Sequence, residues 1–228
     1  MLRFGIALAF LISTFALAAE DPIPLKKDER IVFLGDSITQ GGGGAKGYVT
    51  LVTKSLQEKY PDLGIQTFNA GISGNKVPDL QRRLEKDVLG KKPTVVIVYI
   101  GINDVWHGEN DPKRGTTPEK FEEGMKDVVG RCQKAGARVL ICTPTVIGEL
   151  PGGANKLDAK LDEYAKISRG VAKELDLPLC DLRQAFVDHL EKNNSAKKAS
   201  GVLTGDRVHL NEAGNRLVAE TMLKHLGK

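Results

Sequence analysis

The amino-acid sequence predicts an α/β fold with a parallel sheet covered by helices on both faces. Short, nearly continuous apolar runs alternate along the chain with stretches of helical spacing. Strands buried on both faces read as unbroken apolar runs, and parallel strands need helical crossovers to return to the same edge.

The first strand is "IVFL", Ile31 to Leu34, which ends at Gly35 and passes into "DSITQGGGG". Further apolar runs occur at 65–70 ("IQTFNA"), 94–101 ("TVVIVYIG"), 138–144 ("RVLICTP") and 177–181 ("LPLCD"), so five strands are expected. Between them, Leu51, Leu56 and Tyr60 suggest one helix, and Phe121, Met125, Val128, Val129 and Cys132 a second. Leu157, Leu161, Tyr164, Ile167, Val171 and Leu175 suggest a third. The "TTPEKFEE" segment opens the helix of Phe121: Thr117 can cap it, Pro118 suits its first turn, and the acidic residues favour its positive end. A last helix is expected from about Glu212 to Leu226, with Leu217, Met222 and Leu226 facing the core. Neither an internal repeat nor a linker is evident.

The chain has 228 residues, 41% hydrophobic and 27% charged, the composition of one ordinary globular domain rather than of a disordered or fibrous chain. Its start, "MLRFGIALAFLISTFALAAED", joins a lone Arg3 to an apolar run and then to Ala16 and Ala18 in an Ala-x-Ala arrangement. We read residues 1–19 as a cleaved secretory signal and 20–228 as a single domain, secreted or periplasmic. The run is shorter than the roughly 20 residues of a membrane span, and no later segment is comparably apolar. Net charge is +4, distributed in mixed-sign stretches such as "LQRRLEKD", which argues against nucleic acid as the partner. Cys132, Cys142 and Cys180 lack the paired spacing of a zinc site and sit among apolar residues, as inert thiols do, although one disulfide is compatible with the compartment.

Each of the first three strands ends in small and polar residues, "GDSITQ", "NAGISGN" and "GINDVWHG", and the segment before the last helix reads "TGDRVHLNEAGN". In a parallel sheet these runs meet at the carboxyl edge, where ligands bind. Taken singly, each has an ordinary explanation: Asp36 or Ser37 as a helix cap, Gly71 and Gly74 as turn residues, Asn103 and Asp104 as an Asx turn, Asp206 and His209 as solvated caps. Together they fit acyl transfer through serine. Ser37 needs a base, and imidazole suits that task; His209 supplies it, and Asp206 can orient it from three residues away. The developing oxyanion needs fixed donors, which the backbone N–H groups of Ser37 and Gly74 and the amide of Asn103 can provide. His107, three residues beyond Asp104, is a competing base, and His209 is preferred for its aspartate partner.

These four segments resemble the blocks of the SGNH hydrolase superfamily, GDSL type. The resemblance assigns the nucleophile to Ser37 in "LGDSITQG", the second-block glycine to Gly74 in "NAGISGN", the third-block asparagine to Asn103 in "GIND", and the DxxH block to Asp206 and His209 in "DRVH". It spans nearly all of the chain after the leader. It implies a flavodoxin-like three-layer α/β/α fold and catalysis with neither metal nor organic cofactor. Many members carry an acidic residue after the second-block glycine, where this chain has Asn75 and Lys76; Lys76 either meets an acidic substrate or is merely solvated. Trp106, the single tryptophan, either stacks on a sugar ring or packs.

The expected activity is hydrolysis of short acyl esters, acetyl above all, on carbohydrate or another oxygen ester. The alternatives are a lysophospholipase or thioesterase acting on longer chains, and a non-catalytic carbohydrate-binding relative. A flavin- or phosphate-binding module is disfavoured because "GGGGAKG" lacks the Gly-Lys-Ser/Thr ending of a phosphate loop. Residues 108–117 and 145–156 are the segments in which specificity is expected to lie.

Overall fold

The computed structural model describes residues 22–227; the leader read in residues 1–19 lies outside them. A single sheet of five parallel strands is formed by β1 (Arg30–Gly35), β2 (Gln66–Gly71), β3 (Val95–Tyr99), β4 (Arg138–Cys142) and β5 (Leu179–Cys180), in the spatial order β2-β1-β3-β4-β5. All five fall on the apolar runs of the sequence. The chain passes from β1 to one side and returns to the other, so a topological switch point lies between β1 and β3, where open α/β sheets place their ligands.

The strands finish level with one another. Gly35 is opposite both Gly71 and Tyr99, Tyr99 opposite Cys142, and Cys142 opposite Cys180, so the loops leaving β1, β2, β3 and β4 emerge at one edge. Ile31 to Leu34 and Val95 to Val98 are fully buried or nearly so, because both faces of these strands are covered. The outer strand β2 alternates less strictly and keeps Gln66 and Asn69 exposed.

Eight α-helices are found among the described residues: α1 (Ser37–Gly41), α2 (Tyr48–Lys59), α3 (Val77–Asp87), α4 (Ile102–Trp106), α5 (Pro118–Lys134), α6 (Asp158–Glu174), α7 (Leu182–Asn193) and α8 (Glu212–Leu223). Helix α2 packs on α8, which also meets α7; α3 packs on α5, and α5 on α6. The result is the three-layer arrangement expected. The α5 prediction holds in detail: Thr117 caps it by accepting from Lys120 N–H, and Phe121, Met125, Val128, Val129 and Cys132 are its buried face.

Three features differ from expectation. The buried face of α2 is Tyr48, Val49, Val52 and Leu56, whereas Tyr60 lies beyond the helix end, so the seam is rotated from the Leu51 and Tyr60 line. Helices α3 and α7 were not anticipated. Their apolar stripes, Val77, Leu80 and Leu84, and Leu182, Phe186 and Leu190, are narrow and surrounded by charge, the pattern of a helix with one face on the core and the rest in water. Finally, α8 ends at Leu223, and Leu226 instead forms a parallel bridge with Ile23. Cys132, Cys142 and Cys180 are free and buried.

Candidate active site

The carboxyl edge between β1 and β3 brings the four polar segments together. At the end of β1, Asp36 is the N-cap of α1 and its side chain accepts from Ile38 N–H at 2.9 Å. Capping therefore falls to Asp36, and Ser37, the first residue of the helix, has its hydroxyl free for another partner. That partner is His209, with Ser37 Oγ 2.9 Å from His209 Nε2.

His209 Nδ1 is 2.7 Å from Asp206 Oδ2. A carboxylate can only accept, so Nδ1 carries the proton and Nε2 is left to accept from the Ser37 hydroxyl. The other carboxylate oxygen of Asp206 accepts from the backbone N–H groups of Val208 (3.1 Å) and His209 (2.7 Å), which closes the DRVH turn. Burial raises the Asp206 carboxyl, but these bonds from the His209 ring and the two backbone donors outweigh it and hold it below the usual carboxylate range. Neither Asp206 nor His209 caps α8; Asn211 does, accepting from Gly214 N–H.

The loop after β2 is drawn onto α1 by close backbone contact. A Cβ on Gly71 would stand 2.1 Å from Gln40 N, so only glycine permits the approach. Ser73 N–H donates to Gln40 Oε1 and Ile72 N–H to Gly35 O, which keeps the loop against the serine helix. Gly74 has φ +76°, a left-handed conformation natural to glycine, and the space beyond its Cα is open except for His107 at 4.0 Å.

Asn103 is buried on α4, and its side-chain amide donates to Asn75 O at 3.1 Å, so the second and third blocks are in direct contact. The neighbouring Asp104 strengthens that junction by accepting from Val77 N–H, the first residue of α3, at 3.1 Å. Burial raises the Asp104 carboxyl to about 6 and, against the opposing bond from Ile38, raises that of Asp36 to about 7. Arg83 of α3 adds a further tie, donating to Gly35 O and to Asn75 Oδ1. Asp36, Asp104 and Arg83 were not anticipated as supports of the site. The stripe of Val77, Leu80 and Leu84 would have revealed the helix that carries Arg83, but no local signal names the partners of these residues.

The structure distinguishes the remaining candidates. Lys76, partly buried, is held by its neighbours: its Nζ donates to Arg114 O at 2.7 Å, and its backbone N–H to Asp79. Trp106 is half-buried against the core, with its ring edge-on to the His209 imidazole at 6.5 Å. His107 stands on the Gly74 side, and burial together with Lys76 and Arg114 lowers its pKa below the usual imidazole range. The two segments expected to govern specificity line neighbouring clefts: one of about 370 Å³ includes Gly108, Glu109 and Thr116, and one of about 190 Å³ includes Leu150, Asn155, Lys156 and Arg207. Residues 145–149, however, are buried, so only the later part of the second segment faces solvent.

The arrangement can move a proton from the Ser37 hydroxyl to His209 while Asp206 stabilises the resulting imidazolium. No group of three or more His, Cys, Asp or Glu side chains able to hold a metal occurs among the described residues, and none of the helices they form is long and apolar enough to cross a membrane.

Comparison with known proteins agrees with this chemistry. An acetylxylan esterase of Geobacillus stearothermophilus is 32% identical over 213 residues, covering 87% of this chain and 94% of that protein. The crystal structure of Axe2, an acetylxylan esterase from Geobacillus stearothermophilus, superposes with a TM-score of 0.80 at 31% identity, over 90% of this chain and 97% of that one, and forms of Axe2 described as catalytic mutants have a serine, a histidine or an aspartate replaced by alanine. The crystal structure of an acetyl xylan esterase called AlAXEase is 43% identical with a TM-score of 0.82, covering 85% of this chain and 98% of that one. An isoamyl acetate-hydrolyzing esterase 1 homolog of Rattus norvegicus is 26% identical, over 83% of this chain and 78% of its own. Residues 33–217 match the GDSL-like Lipase/Acylhydrolase family. With fold, site geometry and relatives in agreement, the chain belongs to the GDSL-like lipase/acylhydrolase family, of SGNH type, and is a hydrolase of carboxylic esters.

Proposed function

We propose that this protein is a secreted or periplasmic serine esterase that removes short acyl groups, acetyl above all, from carbohydrate or other oxygen esters through an acyl-Ser37 intermediate. The observation that carries the reading is the unbroken chain from Ser37 Oγ through His209 to Asp206, with steps of 2.9 and 2.7 Å. In the proposed cycle Ser37 Oγ bonds to the acyl carbon as its proton passes to His209 Nε2. The carbonyl oxygen takes up the negative charge and is met by the N–H groups of Ser37 and Gly74 and by the Asn103 amide. Collapse of this adduct breaks the ester bond, and His209 returns the proton to the departing alcohol. Water, deprotonated by His209, then releases the acid and restores Ser37.

Two observations support a small acyl group on a bulky alcohol. The His209 and Asp206 side chains are 44% and 55% exposed, so an alcohol of any size reaches the base from solvent. Among the described residues Ile72, in the loop before Gly74, is the single large exposed hydrophobic, whereas a long acyl chain needs an extended apolar groove. The names of three relatives refer to acetate esters, two on xylan and one on a simple alcohol, and support acetyl as the acyl group. Trp106, half-buried beside His209, offers a ring face or edge to a sugar. The reading of residues 1–19 as a leader and 20–228 as one catalytic domain belongs to this proposal.

The test is a series of p-nitrophenyl esters from acetate to palmitate, run beside acetylated xylan and lysophospholipid, with wild type and Ser37→Ala. Acetate and acetylated xylan are expected to be hydrolysed fastest, and Ser37→Ala to be inactive and unlabelled by a serine-directed phosphonate. Faster turnover of the long chains would transfer the protein to the lysophospholipase class, and full activity of Ser37→Ala would end the reading.

A further inference from the structure

The loop that carries Asp206 and His209 holds no helix or strand of its own, and α8 meets it only at its start, where the cap residue Asn211 donates from its N–H to Leu203 O at 3.0 Å. It runs from the end of α7 to the start of α8, and within it a single bridge, Thr204 opposite Leu210, is the one element of pairing. The sheet places Ser37, but it does not reach this loop. A fully buried carboxylate does.

Glu149, on the connection from β4 to α6, is 0% exposed. Its Oε1 accepts from Leu203 N–H (2.7 Å), Thr204 N–H (2.5 Å) and Thr204 Oγ1–H (2.8 Å), and its Oε2 from Val202 N–H (2.8 Å). The backbone around Glu149 grips the same loop: Glu149 N–H donates to Ala199 O, and Gly148 N–H donates at 2.8 Å to the carbonyl of Arg207, between Asp206 and His209. Asn194 closes the far side, donating from its side chain to Glu149 O and Lys198 O. From Thr204 the path to the imidazole is short, because Gly205 N–H donates to His209 O at 2.8 Å. Arg207 itself holds φ +81°, a conformation that side-chain-bearing residues adopt only when their surroundings impose it.

We propose that Glu149 is the positioning residue of this esterase: its carboxylate sets the height of the 202–209 loop, and thereby the distance from His209 Nε2 to Ser37 Oγ. The inference rests on the serine-esterase reading above. Four donors converge on one side chain, and only an acceptor-only group satisfies them all. Glutamine has the same size but places N–H groups where one oxygen stood, so whichever way its amide turns, at least one loop N–H faces another donor. The loop then shifts, and a displacement of about 1 Å between base and nucleophile is worth on the order of a hundredfold in rate.

The test compares wild type with Glu149→Gln, Thr204→Val and, as a control, the core variant Val218→Ala in α8. Measured are kcat and KM for p-nitrophenyl acetate, the rate of phosphonate labelling at Ser37, and the melting temperature. Glu149→Gln is expected to lower kcat and the labelling rate about 10- to 100-fold with KM changed by less than about threefold. Thr204→Val, which removes one of the four bonds, is expected to lower kcat by about 2- to 10-fold, and Val218→Ala to lower the melting temperature with kcat unchanged. If folded Glu149→Gln labels at the wild-type rate, or if Val218→Ala at an equal loss of melting temperature loses kcat equally, Glu149 is a structural residue and the inference is overturned. Should Glu149→Gln fail to fold, Thr204→Val decides alone, and wild-type kcat in it is the overturning result. A wild type that is not labelled at Ser37 would instead overturn the esterase reading itself.

Discussion

Replacing Asp206 separates two tasks that its carboxylate performs. One oxygen accepts from His209 Nδ1–H at 2.7 Å, and the other closes the DRVH turn by accepting from Val208 and His209 N–H. In Asp206→Ala both are lost. The ring loses a charge-assisted bond worth about 1.5 to 3 kcal/mol, about 10- to 150-fold in rate if it is all expressed in the transition state. The side chain is 55% exposed, so water can take its place beside Nδ1, and a loss near the lower end, about 10- to 50-fold, is expected. Asp206→Asn is the harsher change. If its oxygen keeps the turn, its NH2 faces Nδ1 and favours the tautomer with the proton on Nε2, the atom that must accept from Ser37. If it flips to accept from Nδ1–H, the NH2 confronts two backbone donors and the turn opens. A loss of about 10³-fold or more is therefore expected for asparagine. The assay is kcat/KM for p-nitrophenyl acetate, with circular dichroism melts to establish that both variants are folded. An asparagine variant more active than the alanine variant would refute the tautomer reasoning, and both lying within threefold of wild type would remove Asp206 from the mechanism.

Asn103→Ala removes the amide proposed as an oxyanion donor, together with its bond to Asn75 O; kcat for p-nitrophenyl acetate is expected to fall about 10²- to 10³-fold with little change in KM, and an unchanged kcat would show that the amide does not meet the oxyanion. The contribution of Asp36 to stability is expected to fall as pH rises from about 4 to 7. Burial raises Asp36 from 3.8 to about 7, so over this window the folded state keeps a proton that the unfolded chain releases, an effect on the order of 4 kcal/mol once pH exceeds 7. Asp36→Asn keeps an acceptor for Ile38 N–H and carries no charge, so its melting temperature is expected to differ between pH 5 and pH 8 by several degrees less than that of wild type; equal differences would show that Asp36 does not titrate in this range.

Much of this molecule is readable along the chain wherever the deciding interaction is local. The five strands announce themselves because both of their faces are buried and their residues need only be apolar. Thr117 and Pro118 mark the start of α5 because a cap and a first turn are settled within four residues. Asp206 and His209 are legible as a pair because three residues suffice to bring a carboxylate to an imidazole. Helices α3 and α7 escape notice because a helix lying on the outside of the sheet buries a narrow stripe, which charged neighbours such as Arg82, Arg83, Glu85 and Lys86 obscure.

What composition and spacing determine by themselves is therefore the fold class, the strands, and the kinds of side chain available at one edge. The tertiary structure alone decides which of them meet. Ser37 and His209 are 172 residues apart, Asp104 and Val77 are 27 apart, and Glu149 reaches across more than 50 residues to Val202, Leu203 and Thr204. Such contacts leave no periodic trace, because they depend on which loops are closed over the sheet and at what height. That choice is made by the summed packing of the core and by a few buried polar groups, and it separates Lys76, tied down by Arg114, from His209, set against the Ser37 hydroxyl.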